Sequence, residues 1–90
     1  MKPVISRHVQ ERMKQRGATK DEVDKTLESG AARSAKGNKK SSRLRFDFNG
    51  LSPVTGKQYR YKTVEVLYAI EDNTITVVTV KVYYSDEEES

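Results

Sequence analysis

A chain of 90 residues has room for one small core and no second folded domain. With 34% apolar and 33% charged residues it is polar yet able to fold, and with no cysteine and one histidine it offers neither a disulfide framework nor the usual zinc sites. The net charge of +4 divides unevenly, 13 Lys/Arg against 5 Asp/Glu in residues 1–45 and 4 against 8 in residues 46–90, which points to a polyanionic partner for the first half.

The N-terminal stretch Met1-Lys2-Pro3-Val4-Ile5 lacks the apolar run of a secretory signal, and no window is long and apolar enough to span a bilayer. A cytoplasmic protein without membrane contact is expected, as is one that needs no metal or cofactor. Ser6 is placed to N-cap a helix over residues 7–16, since Ile5, Val9 and Met13 recur every fourth residue before a glycine stop at Gly17. Thr19-Lys20-Asp21-Glu22 reads as a capping box that opens a second helix over residues 20–29, through Val23 and Leu27 to Gly30.

Residues 31–42 contain no large apolar side chain, so a mobile basic loop is expected there. Leu44, Phe46 and Phe48 then alternate with Arg43, Arg45 and Asp47, the period of a strand with one face in the core. Asn49-Gly50 and the turn-forming run from Ser52 to Lys57 follow. Tyr59 to Ile70 and Ile75 to Tyr84 predict a hairpin turned at Asp72-Asn73.

A change of phase between Tyr59/Tyr61 and Val64/Val66 suggests a bulge near Lys62 or Thr63. In the last strand Val78, Val80 and Val82 are expected to face the core, with Val77, Thr79, Lys81 and Tyr83 on the other face. The predicted architecture is α+β: two N-terminal helices on one face of a three- to four-stranded antiparallel sheet spanning residues 1–85, followed by an acidic tail over 86–90.

Three groups of residues carry candidate chemistry. His8, Arg12 and Arg16, four apart, share a helix ridge where an imidazole could exchange a proton beside cations that stabilise a phosphate; the same spacing also describes a solvated helix side. Arg33, Lys36, Lys39, Lys40, Arg43 and Arg45 form a positive run with no acid among them, suited to a phosphate backbone or simply to solubility. Thr79, Lys81 and Tyr83 alternate on one sheet face, where stacking and hydrogen bonding could hold a nucleotide, although Thr and Tyr are also good strand formers.

Ser6-Arg7-His8 through Glu11-Arg12-Met13 to Arg16-Gly17, with Val64 to Ile70 and Ile75-Thr76-Val77-Val78-Thr79-Val80 at the other end, resemble a bacterial family of small uncharacterised proteins. That family opens with a histidine, a Glu-Arg-Met triplet and an Arg-Gly stop, and closes with a Val-x-Thr-Val strand. It is similar in fold to the barnase, EndoU, colicin and RelE group of ribonuclease toxins. The resemblance implies metal-independent RNA cleavage by attack of the 2′-hydroxyl, and a cognate antitoxin or immunity protein as partner. It maps His8 and Arg12 to the helix motif and Thr79 to the last strand; Arg45, Lys62 and Tyr83 join the candidate site on charge and facing alone. A non-catalytic module binding RNA or protein on the same fold is the alternative, and a ParE-like toxin acting on a protein a third.

Overall fold

The computed structural model describes residues 3–86. Its elements run β1 (Val4–Ile5), α1 (Arg7–Arg16), α2 (Lys20–Ser29), β2 (Ala31–Ser34), β3 (Lys39–Leu51), β4 (Gln58–Glu71) and β5 (Thr74–Ser85). Both helices occupy the ranges their caps define. The Ser6 hydroxyl accepts from the Val9 amide, Gly17 closes α1 at φ 86°, and Thr19 and Glu22 form the reciprocal box at the start of α2. Each cap stabilises its helix by about 1 kcal/mol.

The sheet departs from expectation. Among the described residues it has five strands in the order β1-β5-β4-β3-β2, and it is mixed, because β1 runs parallel to β5 with Val4 opposite Thr76 and Ile5 opposite Val77. A two-residue strand carries no alternation to read; Ile5 joins the sheet because its side chain packs against the core. The expected loop over 31–42 is instead largely strand: Ala31 to Ser34 pair with Arg43 to Lys40. All four β2 residues are exposed, so backbone hydrogen bonding rather than apolar burial holds them.

The core lies between one sheet face and both helices. Val9 and Met13 from α1 and Val23 from α2 pack with Val64, Val66, Tyr68, Val77 and Val80. Where α2 meets β3 the contact is close and polar: the Ser42 hydroxyl donates to the Thr26 carbonyl at 2.6 Å. A Cβ on Gly30 would collide with both groups, so glycine is what permits this approach.

The irregularities lie elsewhere than Lys62 and Thr63, whose register is continuous on both sides. One is in β3 between Asp47 and Gly50, where Asn49 takes φ 49°. The other is in β5, where Leu67 faces Thr79 but Tyr68 faces Val77, leaving Val78 as the extra residue. The bulge puts Val77 in the core and turns Val78 outward at 39% exposure, reversing the expected facing of both. The hairpin turns at Asp72 and Asn73, both at positive φ as a two-residue turn between twisted strands requires. Of the expected acidic tail, Asp86 accepts the Arg60 amide, and Glu87 to Ser90 lie outside the described residues.

Candidate nucleic-acid interface

Because both helices cover one face, strand alternation sends a second set of side chains to the uncovered face. Register assigns them in rows: Lys81, Glu65 and Arg43; Tyr83, Thr63 and Arg45; Tyr61 and Asp47; Thr79, Leu67 and Ser41. Arg33 joins the last row from β2. Arg43, Arg45, Lys81 and Tyr83 are exposed, whereas Thr63 beneath them is buried, so the long side chains lie over the centre of the sheet.

Their contacts are specific. The Arg43 guanidinium lies 5.2 Å from the centroid of the Tyr83 ring and its Nε donates to Glu65 at 2.9 Å. Arg45 sits over the Tyr61 ring at 4.7 Å. The Tyr83 hydroxyl also reaches Glu65, at 3.4 Å. Glu65 thus anchors one of two arginine-on-tyrosine stacks, and each stack holds a guanidinium plane in place at a cost already met by folding. Beside them Ala31, Arg33, Ser34, Ser41, Arg43 and Glu65 line a groove of about 210 Å³. A larger cavity of about 370 Å³, against Pro3, Ile5, Met13 and Ala18, has only Lys14 and Lys20 as charged walls and assembles no comparable chemistry.

The remaining sequence candidates are dispersed. His8 and Arg12 are exposed on α1, whose buried residues lie on the covered side of the sheet, whereas Thr79 and Tyr83 project from the uncovered side. The ridge and the strand residues are therefore not brought to one point. Arg16 turns to the β5 backbone, its Nη1 donating to the Val80 carbonyl at 2.7 Å beyond the stretch that β1 pairs. Lys36 lies in the exposed β2–β3 turn, Lys39 shares the parity of the uncovered face and Lys40 that of the covered one.

Lys62 corrects the expectation of an RNA contact. It is only 5% exposed, on the core face, where its ammonium donates to the Gly17 carbonyl and pairs with Glu22. The Phe48 ring completes its surroundings. Sequence reading missed Glu65, Tyr61 and the pairing of each arginine with a ring. The signal was present in parity: Arg43, Arg45, Tyr61, Thr63 and Glu65 are all odd-numbered along two strands that pair in continuous register over this stretch.

Among the described residues no group of His, Asp and Glu is arranged to hold a metal ion, and no helix is long and apolar enough to cross a membrane. No curated protein and no solved structure matches the chain. Residues 5–82, which include both helices, all of β2, β3 and β4 and most of β5, match a family described as a domain of unknown function, DUF4258, and the chain belongs to that family.

Proposed function

We propose that the chain binds RNA across the uncovered face of its sheet. The observation that carries this reading is the projection of Arg33, Arg43, Arg45 and Lys81 from one face, interleaved with Tyr61 and Tyr83. Cations supply affinity for the phosphate backbone, and aromatic side chains between them are what a purely solubilising surface does not need. The test is fluorescence anisotropy with a labelled RNA, read as a function of salt. Lys81→Ala is expected to weaken binding and to lower the slope of log K against log salt by about 0.7, the value for one single-strand phosphate contact. An unchanged slope in Arg33→Ala and Lys81→Ala together overturns the reading.

A second reading, cleavage of that RNA, is favoured by Glu65. Its carboxylate walls the 210 Å³ groove beside Arg43 and within reach of the Tyr83 hydroxyl. A carboxylate can take the proton of a 2′-hydroxyl as that oxygen attacks the adjacent phosphorus and the P–O5′ bond breaks, giving a 2′,3′-cyclic phosphate and a 5′-oxygen that takes its proton from water or the nearby Tyr83 hydroxyl, while a guanidinium stabilises charge on the phosphoryl oxygens. This is the ribonuclease chemistry that the resemblance to the toxin group implies, moved from the α1 ridge to the sheet. Glu65→Gln is expected to abolish cleavage of an all-ribose oligonucleotide while sparing its binding; cleavage at the wild-type rate excludes Glu65 as the base.

A further inference from the structure

We propose that the ligand of the uncovered face is single-stranded and seats two neighbouring, mutually unstacked bases, one on the Arg43–Tyr83 stack and one on the Arg45–Tyr61 stack. The inference rests on the RNA-binding reading above and specifies the strand state that the face selects. Tyr83 pairs in register with Thr63, two residues from Tyr61 on the neighbouring strand. One strand across and two residues along places the two tyrosine backbones roughly 8 Å apart. Bases in a duplex rise about 3.4 Å per step, so two adjacent stacked bases cannot each occupy one of these platforms. An extended single strand can.

The composition of the platforms points the same way. Each is a guanidinium on a phenol ring, and both planes accept a base of any identity by stacking. A duplex offers only phosphates and groove edges to such a surface, because its base faces are occupied by their neighbours. The guanidinium of Arg43 is fixed from the side by Glu65, leaving its side chain 48% exposed while its position is held. That arrangement spends little ordering entropy when a base arrives. Arg33 on β2 at one end of the rows and Lys81 on β5 at the other are available for the flanking phosphates.

The experiment compares an eight-nucleotide 2′-O-methyl oligouridine, whose blocked 2′ positions prevent cleavage, with a 2′-O-methyl hairpin duplex of mixed sequence, whose larger charge can only favour it, by anisotropy at low salt. The single strand is expected to bind at least tenfold tighter. Tyr83→Leu and Tyr61→Leu are each expected to lose about 5- to 100-fold without changing the salt slope, since a stack and no phosphate contact is removed. Two adjacent abasic positions in the oligonucleotide should reproduce that loss with the wild-type protein, an arm that requires no variant to fold. Equal affinity for strand and duplex, with the abasic oligonucleotide bound as well as the intact one, overturns the proposal. If Lys81→Ala still weakens binding and lowers the salt slope in that case, the electrostatic reading survives without the stacking. Absence of binding to either nucleic acid overturns both.

Discussion

Lys62 Nζ lies 2.7 Å from Glu22 Oε2, and the same ammonium donates to the carbonyl of Gly17 at 2.9 Å. One buried cation thereby joins the middle of β4 to the first turn of α2 and to the end of α1. Glu22 is shared, since its Oε1 also accepts the Thr19 amide that closes the capping box. A cation taken out of water is costly unless it is fully paired, and here the partners are a carboxylate, a carbonyl and the Phe48 ring.

Removing the carboxylate is expected to cost more than a cap. Glu22→Ala leaves the buried ammonium with only the Gly17 carbonyl and the Phe48 ring, and about 2–4 kcal/mol of stability should be lost, against about 1 kcal/mol for the cap by itself. Lys62→Met, which removes the charge and keeps the apolar stem, should cost less than Glu22→Ala. Urea unfolding of the two variants checks the order. A Glu22→Ala loss no larger than that of Thr19→Ala would mean the ion pair contributes nothing.

The Tyr84 hydroxyl donates to the Arg16 carbonyl at 2.6 Å at the same corner. Burial, and then the negative charge of Glu22, push the Tyr84 phenol above its ordinary value of 10.0, with a hydrogen bond to Ser52 opposing them. A raised value means that the folded protein keeps this proton when the unfolded chain has released it. The contribution is therefore complete below pH about 10 and is lost as pH rises above it through the folded value. Urea midpoints measured from pH 8.5 to 11 should fall more steeply for the wild type than for Tyr84→Phe. Parallel curves would remove Tyr84 from the account.

Gly17 and Tyr84 are coupled through space as well as through the α1 terminus. Gly17 needs its positive φ of 86°, and a Cβ there would strike the Tyr84 hydroxyl. Gly17→Ala should cost about 1–2 kcal/mol from backbone strain and a further increment from the collision. In a Tyr84→Phe background the collision is gone, so the same substitution should cost about 1 kcal/mol less. Additive losses in the double variant would show that the tyrosine moves aside freely.

How much of this was legible follows from the range over which each cause acts. The two helices were readable to the residue because a cap is a matter of three or four neighbouring side chains, Ser6 with Val9 and Thr19 with Glu22. β1 and β2 were not, because Val4–Ile5 and Ala31–Ser34 are strands only through the partners that β5 and β3 supply. Lys62 was misread because a charged residue breaks the apolar alternation, and the carboxylate that allows its burial is 40 positions away. Glu65 escaped notice for the converse reason: a lone acid in a strand looks solubilising until Arg43 and Tyr83 are seen to converge on it.

Register also separates the lysines that charge alone treats as equal. Lys39 pairs with Ala69 and so takes the parity of the uncovered face, whereas Lys40 pairs with Tyr68, a core residue on the covered face. Both are exposed, and both would contribute equally to a diffuse electrostatic attraction. An RNA lying on the uncovered face distinguishes them. Lys39→Ala should weaken binding and lower the salt slope by up to about 0.7, and Lys40→Ala should leave the slope unchanged and shift affinity by less than about twofold. His8→Ala and Arg12→Ala, on the helix side, should resemble Lys40→Ala in this assay. Anisotropy titrations of the four variants at three salt concentrations decide the matter: if Lys40, His8 and Arg12 move the slope while Lys39 does not, the RNA lies on the helical side and the uncovered sheet face is not the interface.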